Sequence, residues 1–321
     1  MSPAAAMSPS FDVVTFGETM VLFAPAERGT LEWAPAYHGS IGGTESNCAI
    51  GLVRLGHSVC WVSRLGRDPF GARVLKTLRG EGVDVSRVET DELAPTGIMF
   101  KEPGPGNTAR IFYYRRQSAA AALRAEPFEG LTAKYLFVTG ITPALSESNR
   151  RLTFELVDRF RANGAKVAFD PNMRFRLWGV KEARAVFLEL ARKCDLLIPS
   201  LTEAEILTGL AEREPMLDEL RALGPSQVVL KAGDQGAWYA DGGECGFCPC
   251  YPAVEIDPVG AGDAFCAGLL SGLLEGQPLR EAVKRAAALG AFCVSTFGDY
   301  QGLPDRAGLQ AFMEGKLTPG R

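Results

Sequence analysis

The sequence predicts an α/β fold: a mainly parallel central sheet flanked by helices, plus a small, separate β-sheet. Three observations carry this. From residue 135 onward, short apolar runs alternate with helical patterns, the rhythm of parallel strands joined by crossover helices. Between residues 20 and 115 the chain carries short β-like segments parted by turn residues and interrupted by a helix, so the second sheet is an insertion and not a contiguous domain. Near the C-terminus, Asp257-Pro258-Val259-Gly260-Ala261-Gly262-Asp263-Ala264-Phe265 runs a glycine-rich turn straight into an apolar helix.

Residues 11–16 read as a buried strand that ends at Gly17-Glu18. Segments 21–23, the region near Tyr37, 98–101 and 110–114 read as short strands of the small sheet, whose expected extent is 19–40 and 96–116. Pro103-Gly104-Pro105-Gly106-Asn107 supplies a hairpin-type turn. A helix enters near Glu45 after Ile41-Gly42-Gly43, with Thr44 or Ser46 as its expected cap. Runs 135–139, 166–170, 195–200 and 227–230 are the next strands, and 147–163, 181–193 and 203–223 carry helical patterns between them. Segments 263–274 and 279–296, rich in Ala and Gly, are helices suited to close packing. Ligands of such sheets gather at the carboxyl ends of the strands, where Glu18, Asn172, Ser200 and Gly233 fall.

A length of 321 residues suits one large α/β domain with a small addition. The balance of 46% hydrophobic and 22% charged residues is that of a soluble globular protein. A net charge of −4 favours neither nucleic acid nor an anionic membrane as partner. No apolar run reaches membrane-span length. Residues 1–10, mostly Pro, Ala and Ser, are expected to be a disordered extension and not a signal peptide, which makes the cytoplasm the expected location.

Eight cysteines in this length do not imply a disulfide scaffold. Cys48, Cys60, Cys194, Cys266 and Cys293 lie among apolar residues and are expected to pack as small hydrophobes. Cys245, Cys248 and Cys250 cluster in what reads as a solvent-facing loop. The only histidines, His38 and His57, are far away in sequence, so a zinc site there lacks a fourth ligand. Two histidines also leave little room for Ser/His/Asp or Cys/His chemistry.

The turn at 257–263 is the segment richest in chemistry. Without a Cβ, Gly260 and Gly262 let backbone N–H groups approach an anion, and the helix start adds unsatisfied N–H groups and the positive end of its dipole. The result is a phosphate-sized anion hole. Asp263 at its edge is placed to take a proton from an alcohol attacking that phosphate. An anion cradle beside a carboxylate base is what phosphoryl transfer to a hydroxyl requires. Alone, such a turn also serves as a plain strand-to-helix connection. There is no G-x-x-x-x-G-K-[ST] loop and no G-x-G-x-x-G opening the first βα unit, which argues against P-loop and nicotinamide enzymes.

Taken with Ile41-Gly42-Gly43-Thr44-Glu45-Ser46-Asn47, this turn resembles the two signature regions of the ribokinase-like carbohydrate kinases of the phosphofructokinase B type. Gly66-Arg67-Asp68-Pro69-Phe70-Gly71 and Lys231-Ala232-Gly233-Asp234-Gln235-Gly236-Ala237 resemble two further family elements, in family order, and the resemblance runs from about Phe11 to about Pro304. It implies a three-layer sandwich with the small sheet as a lid, and ATP and Mg2+ as cofactors. Phe112-Tyr113-Tyr114-Arg115, Gly140-Ile141-Thr142-Pro143-Ala144-Leu145-Ser146 and Asp170-Pro171-Asn172-Met173-Arg174 are similar to the branch that phosphorylates the sugar acid 2-keto-3-deoxygluconate.

The resemblance implies roles. Asp263 is the base, and the N–H groups of Gly260, Ala261 and Gly262 hold the transferring phosphoryl group. Gly42, Gly43, Asn47, Tyr113, Arg115 and Arg174 hold the sugar acid, the two arginines gripping its carboxylate. Ser200, Lys231, Gly233, Gly236 and Asp257 belong to the nucleotide side, Ala287, Ala288 and Ala291 flank the adenine, and Glu203 meets Mg2+ through water. A homo-oligomer through the lid is expected. The sequence departs from this branch at Met99, where a tyrosine is expected, and at Ser200, where much of the wider family has Asn. A kinase of a neutral sugar or nucleoside, and a non-catalytic binding protein on the same fold, are the competing readings.

Overall fold

The computed structural model describes residues 10–27, 29–104 and 108–316. Residues 1–9 of the expected extension and residues 105–107 of the expected turn lie outside the described residues. Ser10 is tied down, its N–H donating to Thr132 Oγ1 at 3.0 Å.

The chain opens with β1 (Phe11–Phe16), then leaves the main sheet through β2 (Met20–Pro25) and β3 (Tyr37–Gly42) before α1 (Thr44–Arg54) and β4 (Val59–Val62) return it. After β5 (Arg64–Gly66), α2 (Pro69–Gly80) and β6 (Glu89–Asp91), a second excursion makes β7 (Ile98–Pro103) and β8 (Ala109–Tyr114). The alternating half follows: β9 (Ala133–Thr139), α3 (Thr142–Leu145), α4 (Glu147–Ala162), β10 (Lys166–Asp170), α5 (Val180–Ala191), β11 (Leu196–Leu197), α6 (Leu201–Thr208), α7 (Arg213–Ala222) and β12 (Gln227–Lys231). A hairpin of β13 (Gly236–Asp241) and β14 (Glu244–Pro249), then α8 (Ala261–Leu274), α9 (Leu279–Val294) and α10 (Arg306–Met313), complete it.

The main sheet has eight strands in the order β14-β13-β12-β11-β10-β9-β1-β4. From β4 to β12 neighbours are parallel; β13 and β14 pair antiparallel at the edge. Strand periodicity sends Val13 into the apolar layer that includes α1, α8 and α9, and Val14 and Phe16 into the opposite layer with α4 and α5. Burial on both faces is what the near-continuous apolar strands foretell. The small sheet is ordered β3-β2-β7-β8, with β2 and β7 parallel and hairpin-like pairs at each side. Its inner face carries the cluster Met20, Leu22 and Met99, packed by Ile111 and Tyr113. Its outer face carries ring contacts of Phe100 with Phe23, Tyr37 and Tyr114.

Several expectations need correction. The pattern at 203–223 is two helices, because Gly209 closes α6 in the left-handed conformation (φ 78°). The cap of α1 is Gly43, not Thr44 or Ser46; Ser46 instead donates its hydroxyl to Gly43 O. The cysteine cluster lies on and just after β14, not in a loop: Cys245 is exposed, Cys248 buried and Cys250 intermediate. Among the described residues no group of three or more His, Cys, Asp or Glu is placed to hold a metal. The five other cysteines are buried, as expected. Among the described residues no helix is long and apolar enough to cross a membrane.

Candidate active site

The carboxyl ends of β1, β9, β10, β11 and β12, the first turn of α8 and the inner face of the small sheet enclose a cavity of about 530 Å3. Its floor is set by backbone. Gly260, the residue before α8, adopts φ 83°, and a Cβ there would lie 2.1 Å from the carbonyl oxygen of Asp299. Only glycine satisfies both demands. The turn therefore presses against the 298–300 segment and brings Gly260 and the exposed Gly262 to the cavity wall, while the Ala261 N–H donates to Pro258 O at 3.4 Å. Gly43, at the start of α1, is a second close approach, since its Cβ would sit 2.4 Å from Glu18 O.

Asp263 lies in the first turn of α8, buried, and accepts a hydrogen bond from Asn47 Nδ2 at 2.7 Å. Burial pushes its carboxyl up to about 7, against the Asn47 hydrogen bond and the Arg174 charge, which lower it. That value suits a group that exchanges a proton near neutral pH. Asn47 comes from α1, so the pairing of α1 with α8 is what brings the two signature segments together. Asp299 joins them: it is 5% exposed, its Oδ1 has no hydrogen-bond partner among the described residues, and burial raises it to about 6 while the Lys101 charge and an Asn47 hydrogen bond lower it.

On the β10–β12 side, Lys231 Nζ lies 2.6 Å from Asp170 Oδ2. Burial pulls the lysine down, but Asp170 outweighs it, so the ammonium stays charged. It reaches toward Gly262, whose Cβ position is 4.0 Å from Nζ. Ser200 and Glu203 form a capping box: Ser200 N–H donates to Glu203 Oε2 at 2.7 Å, and Glu203 N–H to Ser200 Oγ at 3.3 Å. Met173 N–H donates to Glu203 Oε1 at 2.6 Å, so both oxygens of this carboxylate already bind backbone.

On the small-sheet side, Arg115 pairs with the buried Glu18, Nε to Oε2 at 2.5 Å, and its guanidinium lies over the Tyr113 ring at 5.5 Å. Glu18 also accepts from Ser118 Oγ. Arg174, in the loop after β10, is exposed and borders the same cavity. Met99 stands opposite Tyr113 in the β7–β8 register, and its methyl crowds Gly42. It gives the wall an apolar surface where a tyrosine hydroxyl was expected.

Of the residues singled out in the sequence, Gly42, Gly43, Asn47, Tyr113, Arg115, Arg174, Ser200, Glu203, Lys231, Gly233, Gly260, Gly262 and Asp263 line the cavity. Ala261, Gly236 and Asp257 do not. Gly236 is buried at the start of β13, at φ 121°. Asp257 is engaged by Lys101 at 2.5 Å. Ala287, Ala288 and Ala291, expected beside an adenine, are 5%, 0% and 3% exposed and off the cavity wall. α9 packs closely on α8 nearby, where a Cβ on Gly268 would meet Ala286 Cα at 2.8 Å. The sequence pattern pointed to Glu18 as a candidate at a strand's carboxyl end but gave it no role, and it pointed to neither Asp299 nor Lys101.

The comparisons with known proteins agree with this geometry. The pfkB family carbohydrate kinase profile matches residues 10–306. The 2-dehydro-3-deoxygluconokinase of Bacillus subtilis is 37% identical over 313 residues, 96% of this chain and 97% of that protein. Fructokinase-1 of Oryza sativa is 31% identical over 314 residues, 94% of this chain and 97% of that one. The crystal structure of a PfkB protein from Polaromonas sp. JS666 superposes with a TM-score of 0.87 at 38% identity, covering 94% of this chain and all of that one. With its doubly covered parallel sheet, its small inserted sheet and its glycine turn at the start of α8, this chain has the ribokinase-like fold and belongs to the pfkB family of carbohydrate kinases.

Proposed function

We propose that this chain is an ATP-dependent kinase of 2-keto-3-deoxygluconate, the compound also called 2-dehydro-3-deoxygluconate, phosphorylating its terminal hydroxyl. The observation that carries the reading is one cavity lined by the buried Asp263, the glycine turn, Arg115 and Arg174. A sugar acid offers a primary alcohol to the aspartate and a carboxylate to the arginines.

The residues fit a nucleotide and its magnesium. Gly260 and Gly262 leave space and N–H groups for phosphate oxygens, and Lys231 adds a fixed positive charge nearby. Bound MgATP supplies the phosphoryl group and the cation that offsets its charge. Glu203 retains lone pairs for a metal-bound water beyond its two backbone bonds. Asp263 accepts the hydroxyl proton as attack begins, oriented by the Asn47 amide. The N–H groups at 260–262 take up charge that develops on the phosphoryl oxygens. Arg174 and Arg115 hold the sugar carboxylate, Tyr113 a hydroxyl or the keto oxygen, and Asp299, with its unpartnered oxygen, accepts a further hydroxyl. The small sheet acts as a lid that keeps water from the reacting phosphoryl group. Its exposed rings, Tyr37 and Tyr114 among them, suit a dimer through the lid.

A neutral-sugar kinase is the second reading. One observation favours it: the Arg115 charge is already matched by Glu18 inside the protein. Turnover of ATP to ADP against 2-keto-3-deoxygluconate, its galactose-derived epimer, fructose, ribose, adenosine and no sugar separates the readings. Preference for the keto-deoxy acids is expected. Preference for fructose or ribose replaces the substrate and keeps the kinase; no turnover with any member overturns the assignment and brings the non-catalytic reading, or a substrate outside the panel, to the front.

A further inference from the structure

We propose that the ion pair between Lys101 and Asp257 is the joint through which the lid sets the geometry of the phosphate turn, making Lys101 a positioning residue that couples sugar binding to nucleotide binding.

Lys101 stands on β7, in the lid, and Asp257 opens the glycine turn of the main body. Their charged atoms are 2.5 Å apart, and the side chains are 14% and 9% exposed, so this pair is shielded from solvent. The same carboxylate is the hub of the turn. Val259 N–H donates to Asp257 Oδ1 at 3.2 Å, and Gly298 N–H to Oδ2 at 3.3 Å. The first bond fixes the residue before Gly260. The second fixes the residue before Asp299, whose carbonyl oxygen is the surface against which Gly260 packs. Moving Lys101 therefore moves a group that holds both sides of the turn.

Charge points the same way. Asp257, Asp263 and Asp299 are all buried around a turn whose use is to receive an anion. Lys101 faces Asp257 directly and also lowers Asp299. Without it, two uncompensated carboxylates would oppose an incoming phosphate. Other charged links to the lid lie elsewhere: Arg115 meets Glu18, and Arg176 Nη1 donates to Ile111 O at 2.6 Å. Arg73 likewise donates to Gly39 O on β3, and among these described links the Lys101–Asp257 pair is the one that reaches the turn.

The inference rests on the kinase reading but not on one sugar, so it is tested with whichever sugar the turnover panel selects. Calorimetry measures the affinity of a non-hydrolysable ATP analogue with Mg2+, with and without that sugar. In the wild type the sugar is expected to tighten analogue binding about tenfold. In Lys101→Met that gain is expected to vanish, while the affinity for sugar alone changes by less than about twofold and kcat falls by more than about tenfold. Asp257→Asn is expected to do the same, and the double variant no more than either single one. Lys101→Arg, which keeps the charge, is expected to restore part of the gain, which a loss of packing would not do. Should Lys101→Met not fold, Lys101→Arg and Asp257→Glu still shift the pair's reach and must reduce the gain. An undiminished gain in these variants, no gain in the wild type, or full additivity in the double variant overturns the proposal.

Discussion

The two walls of the cavity are built by different means. The wall at the strand ends is set by backbone: a left-handed Gly260 wedged against Asp299, the first turn of α8, and an Asp170–Lys231 pair buried behind it. The lid wall is set by side chains, Met99, Ile111 and Tyr113, with Arg115 neutralised by Glu18 at its base. Backbone geometry changes little when a side chain is exchanged, whereas a side-chain wall is rewritten by single substitutions. The first wall suits the invariant part of the reaction, the phosphoryl group. The second suits the part in which sugars differ. The same division fits a chain that is similar over more than nine-tenths of its length both to a 2-dehydro-3-deoxygluconokinase and to a fructokinase.

Substitutions on each side sharpen the contrast. The largest effect is expected at Asp263: Asp263→Asn should lower kcat by about 10^3-fold or more, with affinity for the nucleotide nearly unchanged in a binding titration. Normal turnover would remove Asp263 as the base. In the intact enzyme the Asp263 carboxyl sits near 7, so kcat/KM should fall as pH drops below that value and level off above it. In the loop after β10, Arg174→Ala should raise the KM for the sugar acid about tenfold to a hundredfold and leave the KM for ATP within about twofold. Equal effects on both would argue against a carboxylate contact. The smallest effect is on stability. Burial raises Asp263 from 3.8 to about 7, so the native state favours the protonated form, and stability is lost as pH rises through that window. Asp263→Asn should therefore melt higher than wild type at pH 8, by several degrees, with the difference fading toward pH 4. A lower melting point at pH 8 would contradict this.

How much of this was legible in the sequence follows from how each feature is encoded. The turn at 257–263 and the helix start at 42–47 are contiguous, and contiguous glycines with a following carboxylate carry their meaning locally. The alternation after residue 135 likewise reads directly as strands and helices. Asp299 and Lys101 carry no such signal. Each is a single charged residue in an unremarkable segment, and only the packing of the 298–300 segment on Gly260, and of the lid over the turn, gives them a place. The alanines of α9 carry an ambiguous signal: small residues near a ligand and small residues in a tight helix pair look alike, and Ala287, Ala288 and Ala291 are buried. The β13–β14 hairpin is encoded locally, in Gly242-Gly243 between its two short strands.

The most direct measurement compares kcat/KM for 2-keto-3-deoxygluconate with that for fructose, in the wild type and in Arg174→Ala. A wild-type preference for the acid of about a hundredfold or more is expected, collapsing in Arg174→Ala through loss on the acid alone. A wild-type preference for fructose, or a preference that Arg174→Ala leaves intact, would contradict a cavity built to hold a sugar acid between an arginine and a buried aspartate.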